Sequence, residues 1–199
     1  EVRMNERAAR IIRTDDRVLA IQVARDEKDG GSYKLEADEF ISSMPISELV
    51  LGMDPPAPPE VQEAARKLRY RDFLIVTLIL EGSDLFPDNW IYVHSPEVNV
   101  GRIQNFRSWS EEMVPDPNRS SIGMEYFCQS CDEMWTTDDQ TLIQRAAVEL
   151  EHLGLAKASA VVDGTVIRQP KAYPVYDGDY QDALAVIRDW LGTIENLQV

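Results

Sequence analysis

The chain has 199 residues, 44% of them hydrophobic, enough for a real core in one large domain or one and a half small ones. Its formal net charge of −15 repels nucleic acid and anionic lipid, which argues against both as partners. The longest apolar run, Phe73 to Leu80, is far too short to span a bilayer, and the first residues lack the basic-then-apolar pattern of a signal peptide. A cytoplasmic protein with free thiols is the expectation.

Taken in order, Glu1 to Asp16 carry no cap or turn signal and receive no element. Arg17 to Arg25 alternates apolar and polar and reads as a strand. Asp26 to Ser32, with Gly30-Gly31, is a charged turn into a second short strand over Tyr33 to Ala37, so the two form a hairpin. Phe40-Ile41 is a short buried strand that gives way to Ser42, Ser43, Met44 and Pro45. Such a strand end presents backbone and hydroxyls to something that approaches closely. The plain alternative is a strand end followed by a helix capped by Ser43 or Ser47.

Pro55 to Pro59 is a stiff, extended spacer that reads as a domain crossing. Glu60 to Leu68 is a helix with Val61, Ala64, Ala65 and Leu68 on one face. Phe73 to Leu80 is apolar on both faces and reads as a central strand. Leu85 to Asn89 is a loop, and Trp90 to His94 a further strand, its antiparallel neighbour through that loop.

The stretch from Glu97 to Pro115 carries two arginines, two amides, a phenylalanine and a tryptophan without clear periodicity. Polar groups interleaved with large rings line pockets or brace irregular loops. Within it Val100 to Phe106 extends as a strand, with Trp109 at its end. Ser120 to Cys128 is another strand.

Cys128 and Cys131 form a single C-x-x-C, followed by Asp132 and Glu133. A zinc site needs two more ligands, and the acids raise the thiol pKa values, so the pair reads as coincidental and no metal site is expected. Thr136 or Thr137 then caps a helix that Gly154 stops, with Leu142, Ile143, Ala146, Ala147, Leu150 and Leu153 in one stripe. Ala158 to Val162 and Thr165 to Arg168 read as short strands around Asp163-Gly164. Pro170 to Tyr176 is an irregular, proline-ruled segment, and Tyr180 to Leu191 a last helix. Asn196 to Val199 starts a strand. This strand and the first hairpin read as pieces of one sheet whose remainder is absent.

No G-x-G-x-x-G, phosphate-binding G-x-x-x-x-G-K or G-x-S-x-G occurs, and the two histidines fit no triad. No residue stands out by spacing as catalytic. The residues therefore give an acidic α+β chain, with a mixed, mostly antiparallel sheet and helices packed on it.

Several stretches together resemble a known superfamily. ADEFISSMPISELV, LRYRDFLIVTLIL, NWIYVHSPEVNVGRIQNFRSWSEEMVP and EYFC are similar to the middle of FAD-dependent amine oxidoreductases. The nearest kinds are protoporphyrinogen-oxidase-like and UDP-galactopyranose-mutase-like flavoproteins. AYPVYDGDYQDALAVIRDWLGTIENLQV resembles the approach to that superfamily's C-terminal flavin motif. The resemblance covers nearly all of this chain but only the centre of the family's chain, without either flavin-binding end motif.

The resemblance implies a substrate-binding domain over residues 45–182, flanked by flavin-domain remnants over 1–44 and 183–199. It implies FAD in a full-length parent and none bound to these residues alone. Ser42, Ser43, Met44 and Pro45 would pass near the flavin. Tyr92, Arg102, Gln104, Asn105, Trp109, Tyr126 and Tyr173 would line a pocket for a small-molecule substrate. Arg102 would hold an anionic group by paired hydrogen bonds. Each residue has a plainer reading: Trp109 and Phe106 in the core, Arg102 paired with an acid, Tyr92 turned inward. The implied activity is flavin-mediated hydride removal in the parent. The alternatives are a UDP-sugar mutase, suggested by Tyr173-Pro174-Val175 with Arg102 and Arg107, or a non-catalytic binding module that kept the fold.

Overall fold

The structure, a computed structural model, describes residues 1–25 and 30–199. The first elements are strands β1 (Glu6–Arg13), β2 (Val18–Arg25), β3 (Ser32–Glu36) and β4 (Phe40–Ile41). Helix α1 (Ile46–Leu51), strand β5 (Met53–Asp54) and helix α2 (Pro59–Lys67) follow. Strands β6 (Tyr70–Glu81), β7 (Trp90–Tyr92) and β8 (Arg102–Asn105), short helix α3 (Phe106–Trp109) and strand β9 (Arg119–Cys128) come next. The chain continues through helices α4 (Glu133–Thr136) and α5 (Asp139–His152), strand β10 (Val161–Pro174), helix α6 (Tyr180–Leu191) and strand β11 (Leu197–Gln198). The α+β class is as the sequence reads: mixed, mostly antiparallel sheets with helices packed on them.

The chain divides into two compact units, Glu1–Arg69 with Pro174–Val199, and Tyr70–Tyr173. The divisions fall at 69/70 and 173/174, whereas the resemblance implies domain bounds at 44/45 and 182/183. Both α1–α2 and α6 share one apolar cluster with Phe40 and Ile11, and burying these stripes together places them in the first unit.

In the first unit the sheet order is β3-β2-β1-β5, antiparallel except for the β1–β5 edge. Strand β1 was not legible, because Arg7, Ala9 and Arg10 are exposed and only Ile11 and Arg13 are buried. The expected charged turn lies, over 26–29, outside the described residues. The C-terminal strand β11 pairs in parallel with β4 in a separate two-stranded sheet, so it does not join the hairpin's sheet. Pro45 occupies the first-helix cap without a side-chain bond, and Ser47 is buried inside α1, so neither serine caps it.

The proline run 55–59 is not a crossing. Buried Arg13 donates from Nε to Pro55 O at 3.1 Å and from Nη2 to Pro56 O at 3.0 Å, and its guanidinium lies 5.0 Å from the Trp190 ring. Those carbonyls have no helical partner, and the arginine satisfies them.

The second unit is a five-stranded sheet in the order β10-β6-β9-β8-β7. Strand β6 is an inner strand, as its apolar run implies. It alternates: Leu74, Val76, Leu78 and Leu80 are fully buried, while Phe73, Ile75, Thr77 and Ile79 are half-buried. The buried row packs on Leu142, Ala146 and Leu150 of α5. Asp138, not Thr136 or Thr137, caps α5 and accepts from the Thr141 N–H at 3.0 Å. Both threonine hydroxyls instead donate to Glu133 O, closing α4.

Trp90 to His94 does not neighbour β6. Strand β9 pairs with β6 in continuous register from Asp72↔Cys128 to Glu81↔Arg119, and β7 lies at the far edge beside β8. Nor is Asp163-Gly164 a turn. A Cβ at Gly164 would meet Ile143 side-chain carbons at 3.0 Å and Thr77 O at 3.1 Å, so glycine serves close approach within one long strand. Pro170 and Pro174 lie in the same strand, tolerated because β10 is an edge strand.

Candidate functional site

The register of the second sheet sorts its residues onto two faces. Phe73, Ile75 and Thr77 stand opposite Phe127, Glu125 and Gly123. Glu125 stands opposite Arg102, and Arg102 opposite Tyr92; Gly123 stands opposite Gln104, and Gln104 opposite Trp90. Because side chains alternate along a strand, these residues share the face away from α5.

Glu125 lies at the centre and is wholly buried. Its carboxylate accepts short hydrogen bonds from Arg102 Nε and Gln104 Nε2. Arg102 Nη2 donates to the Tyr173 hydroxyl at 2.9 Å. The guanidinium also lies 4.7 Å from the Trp90 ring centre and 5.5 Å from that of Phe127. Burial works to lower the Arg102 pKa, but Tyr173 and Glu125 outweigh it and hold the guanidinium above its usual range.

Aromatic rings surround this pair. Phe73, Phe127 and Tyr173 form a cluster with centroids 5.8–6.0 Å apart. Trp90 and Tyr92 are 5.3 Å apart, and His94 continues the row 6.5 Å from Tyr92. A Cβ at Gly123 would meet Phe106 Cζ at 3.0 Å, so the glycine lets the Phe106 ring lie over the strand.

The structure therefore brings Tyr92, Arg102, Gln104 and Tyr173 together and separates the other candidates from them. Tyr126 and Asn105 are each 3% exposed on the face packed against α5. The Tyr126 hydroxyl donates to Glu149 at 3.0 Å, and burial followed by that carboxylate pushes its pKa up. Asn105 donates to Phe86 O at 2.9 Å and accepts from the Ser108 N–H, capping α3. Both find their partners within the chain. Trp109 ends α3 and is half-exposed, so it is not core. Arg107 donates to the carbonyls of Asp116 and Arg119. Glu125 was missed in the sequence. The sequence shows a lone acid in an apolar run, and only strand pairing supplies its cross-strand arginine.

Ser42, Ser43, Met44 and Pro45 belong to the first unit. Ser42 to Met44, together with Phe40, Leu49 and Leu197, line an apolar cavity of about 200 Å³. The Ser42 hydroxyl oxygen is buried and has no hydrogen-bond partner among the described residues. Buried hydroxyls without partners are uncommon and call for an explanation.

The C-x-x-C holds free thiols, Cys128 buried and Cys131 exposed. Burial, then Asp132 and Asp72, push the Cys128 thiol up, against reactivity. Among the described residues no group of His, Cys, Asp and Glu is placed to hold a metal ion, and no helix is long and apolar enough to cross a membrane.

No protein-family model matches the sequence, and no curated protein matches it. Solved structures do match the fold. The chain is similar to a reduced UDP-galactopyranose mutase, with a TM-score of 0.73 at 18% identity over 96% of this chain and 39% of that one. It is similar to a putative protoporphyrinogen oxidase from Exiguobacterium sp. 255-15, with a TM-score of 0.62 at 16% identity over 97% of this chain and 40% of that one. It also resembles a putrescine oxidase bound to putrescine, with a TM-score of 0.57 at 14% identity over 89% of this chain and 39% of that one. The chain thus spans about two fifths of the length of these structures. At such identities the shared property is the fold.

Proposed function

We propose that this chain is the substrate-domain part of an FAD-dependent oxidoreductase, with flanking pieces of the flavin domain. The observation that carries the reading is the fold likeness to two enzymes of the kinds the sequence resembles, over nearly the whole chain. In this reading the open face of the second sheet lines the substrate pocket. Tyr92, Arg102, Gln104 and Tyr173 contact the substrate there. Glu125 positions Arg102 and Gln104.

FAD supplies the hydride chemistry when bound, and the protein supplies position and field. In the first unit Ser42 to Pro45 would touch the flavin. The fit is local. The unpartnered Ser42 hydroxyl suits one polar edge of a ring, and the apolar lining suits its flat body. A cavity of about 200 Å³ takes part of a ring system and not the whole cofactor. The pyrophosphate would rest on a glycine-rich turn outside these residues.

The test is the absorbance spectrum of a longer protein carrying both flavin-binding ends. Bound-flavin bands are the expected result. A colourless protein that takes up no added FAD overturns the reading and leaves a binding module that kept the fold.

The UDP-sugar mutase reading stays as a second one, favoured by the TM-score of 0.73. Titration of the longer protein with UDP-galactose separates the two. Binding with turnover to an isomeric sugar selects the mutase, and no binding at about 1 mM, a ligand free energy near 4 kcal/mol, removes it.

A further inference from the structure

The charge balance of the open sheet face names the class of ligand it takes, on the reading that this face lines the substrate pocket. Glu125 neutralises Arg102 from a fully buried position, so the Arg102 guanidinium at the centre of the face offers an anion no unpaired charge. The Arg102 guanidinium already lies against the rings of Trp90 and Phe127, so a second cation on Trp90 would share the ring with it.

What remains open is apolar and flat. Trp90 and Tyr92 are 43% and 60% exposed, adjacent, and tilted by only 32°. Beside them stand unused donors. The Tyr173 oxygen accepts from Arg102, which leaves its own hydrogen without an acceptor among the described residues. The Nη1 hydrogens of Arg102 likewise have none there. A phenol held as acceptor by one group donates to the next.

We propose that this face binds an uncharged, planar, unsaturated ring bearing a hydrogen-bond acceptor. The ring stacks on Trp90 and Tyr92, and its carbonyl or ring nitrogen accepts from Tyr173 and Arg102. Stacking on exposed aromatics and one or two directed bonds give such a site orientation as well as affinity. A fused polycycle and a nucleobase share this chemistry.

The test is saturation-transfer NMR on the 199-residue chain with four probes: quinolin-2-one, uridine, inorganic pyrophosphate and putrescine. The two ring probes are expected to receive saturation, and pyrophosphate and putrescine are expected not to displace them. Tyr92→Ala and Tyr173→Phe are each expected to weaken ring binding by about tenfold, with the circular dichroism unchanged. Quinolin-2-one binding more tightly than uridine places the ring in a polycycle; the reverse places it in a nucleoside. Displacement by pyrophosphate or putrescine, or no ring binding at about 1 mM, overturns the proposal.

The outcome is separable from the flavin test. A yellow parent whose substrate domain ignores both rings loses only the ligand class. Ring binding by a protein that holds no flavin keeps this site and removes the oxidoreductase.

Discussion

The two faces of the second sheet use polar groups in opposite ways. On the face under α5, every polar group named above finds its partner inside the chain. Tyr126 reaches Glu149, and Asn105 spans Phe86 and Ser108. On the other face, Arg102, Gln104, Glu125 and Tyr173 form a connected network that ends in free donors and exposed rings. A buried polar group that is fully satisfied holds the fold together, whereas the network that stops at solvent with donors left over is the one we propose meets a ligand.

The largest expected effect breaks the open face from within. Glu125→Gln leaves the Arg102 charge largely buried without its carboxylate, at a cost of about 3–5 kcal/mol. Urea unfolding of the variant measures it. Adding Arg102→Met should restore much of the loss, because the pair is then replaced by matched neutral groups. A small loss in the single variant would mean that water, not Glu125, balances the arginine.

On the packed face the comparable change is Leu78→Ala. Leu78 is fully buried under α5, and the cavity left should cost about 2–5 kcal/mol by urea unfolding. Ring-probe binding should be unchanged once the folded fraction is accounted for, since Leu78 points to the other face. A selective loss of binding would show that the two faces are not independent.

Asp72 sharpens the comparison by pH. It sits on the packed-face row and accepts from the Ser130 N–H at 2.6 Å and the Lys171 N–H at 2.8 Å. Burial works to raise its pKa, but those backbone donors outweigh burial and hold the carboxyl below the usual range. A depressed folded pKa gives stability that is complete above the unfolded value and disappears as pH falls through the folded one. Asp72→Asn should therefore cost about 1.5–3 kcal/mol near neutral pH, shrinking to nothing in acid below both values. Urea midpoints of the two proteins that stay apart in acid would contradict this.

Glu149 tests the packed face at its rim. Its carboxylate accepts from the Asn99 N–H at 3.0 Å, the Val100 N–H at 3.1 Å and the Tyr126 hydroxyl. It therefore ties the loop that enters β8 to helix α5. Glu149→Gln should cost about 1 kcal/mol and speed hydrogen exchange at those two amides first.

How much of this was legible follows from which signal each element carries. The helix α5 stripe and the run from Phe73 to Leu80 are read directly, because burial imposes their periodicity. Strand β1 was hidden because only two of its side chains are buried, and β10 because Gly164 and Pro170 imitate turn signals in an edge strand. In the candidate site Arg102, Tyr92 and Tyr173 were legible as types that favour sites. Their sorting from Tyr126 and Asn105 was not, since it depends on the β8–β9 register, which only pairing sets. Pairing also reveals Glu125, because an acid in an apolar run has meaning only once its cross-strand arginine is known.

The smallest stability effect carries the most about function. Tyr92 is 60% exposed and makes ring contacts only to Trp90 and His94 among the described residues. Tyr92→Ala should change unfolding free energy by no more than about 0.5 kcal/mol, the range of surface substitutions. On the proposed reading, Tyr92 stands on this face for the ligand and not for the fold. If Tyr92→Ala instead destabilises by as much as Leu78→Ala, the aromatic row is part of the core, and the contrast between the two faces collapses.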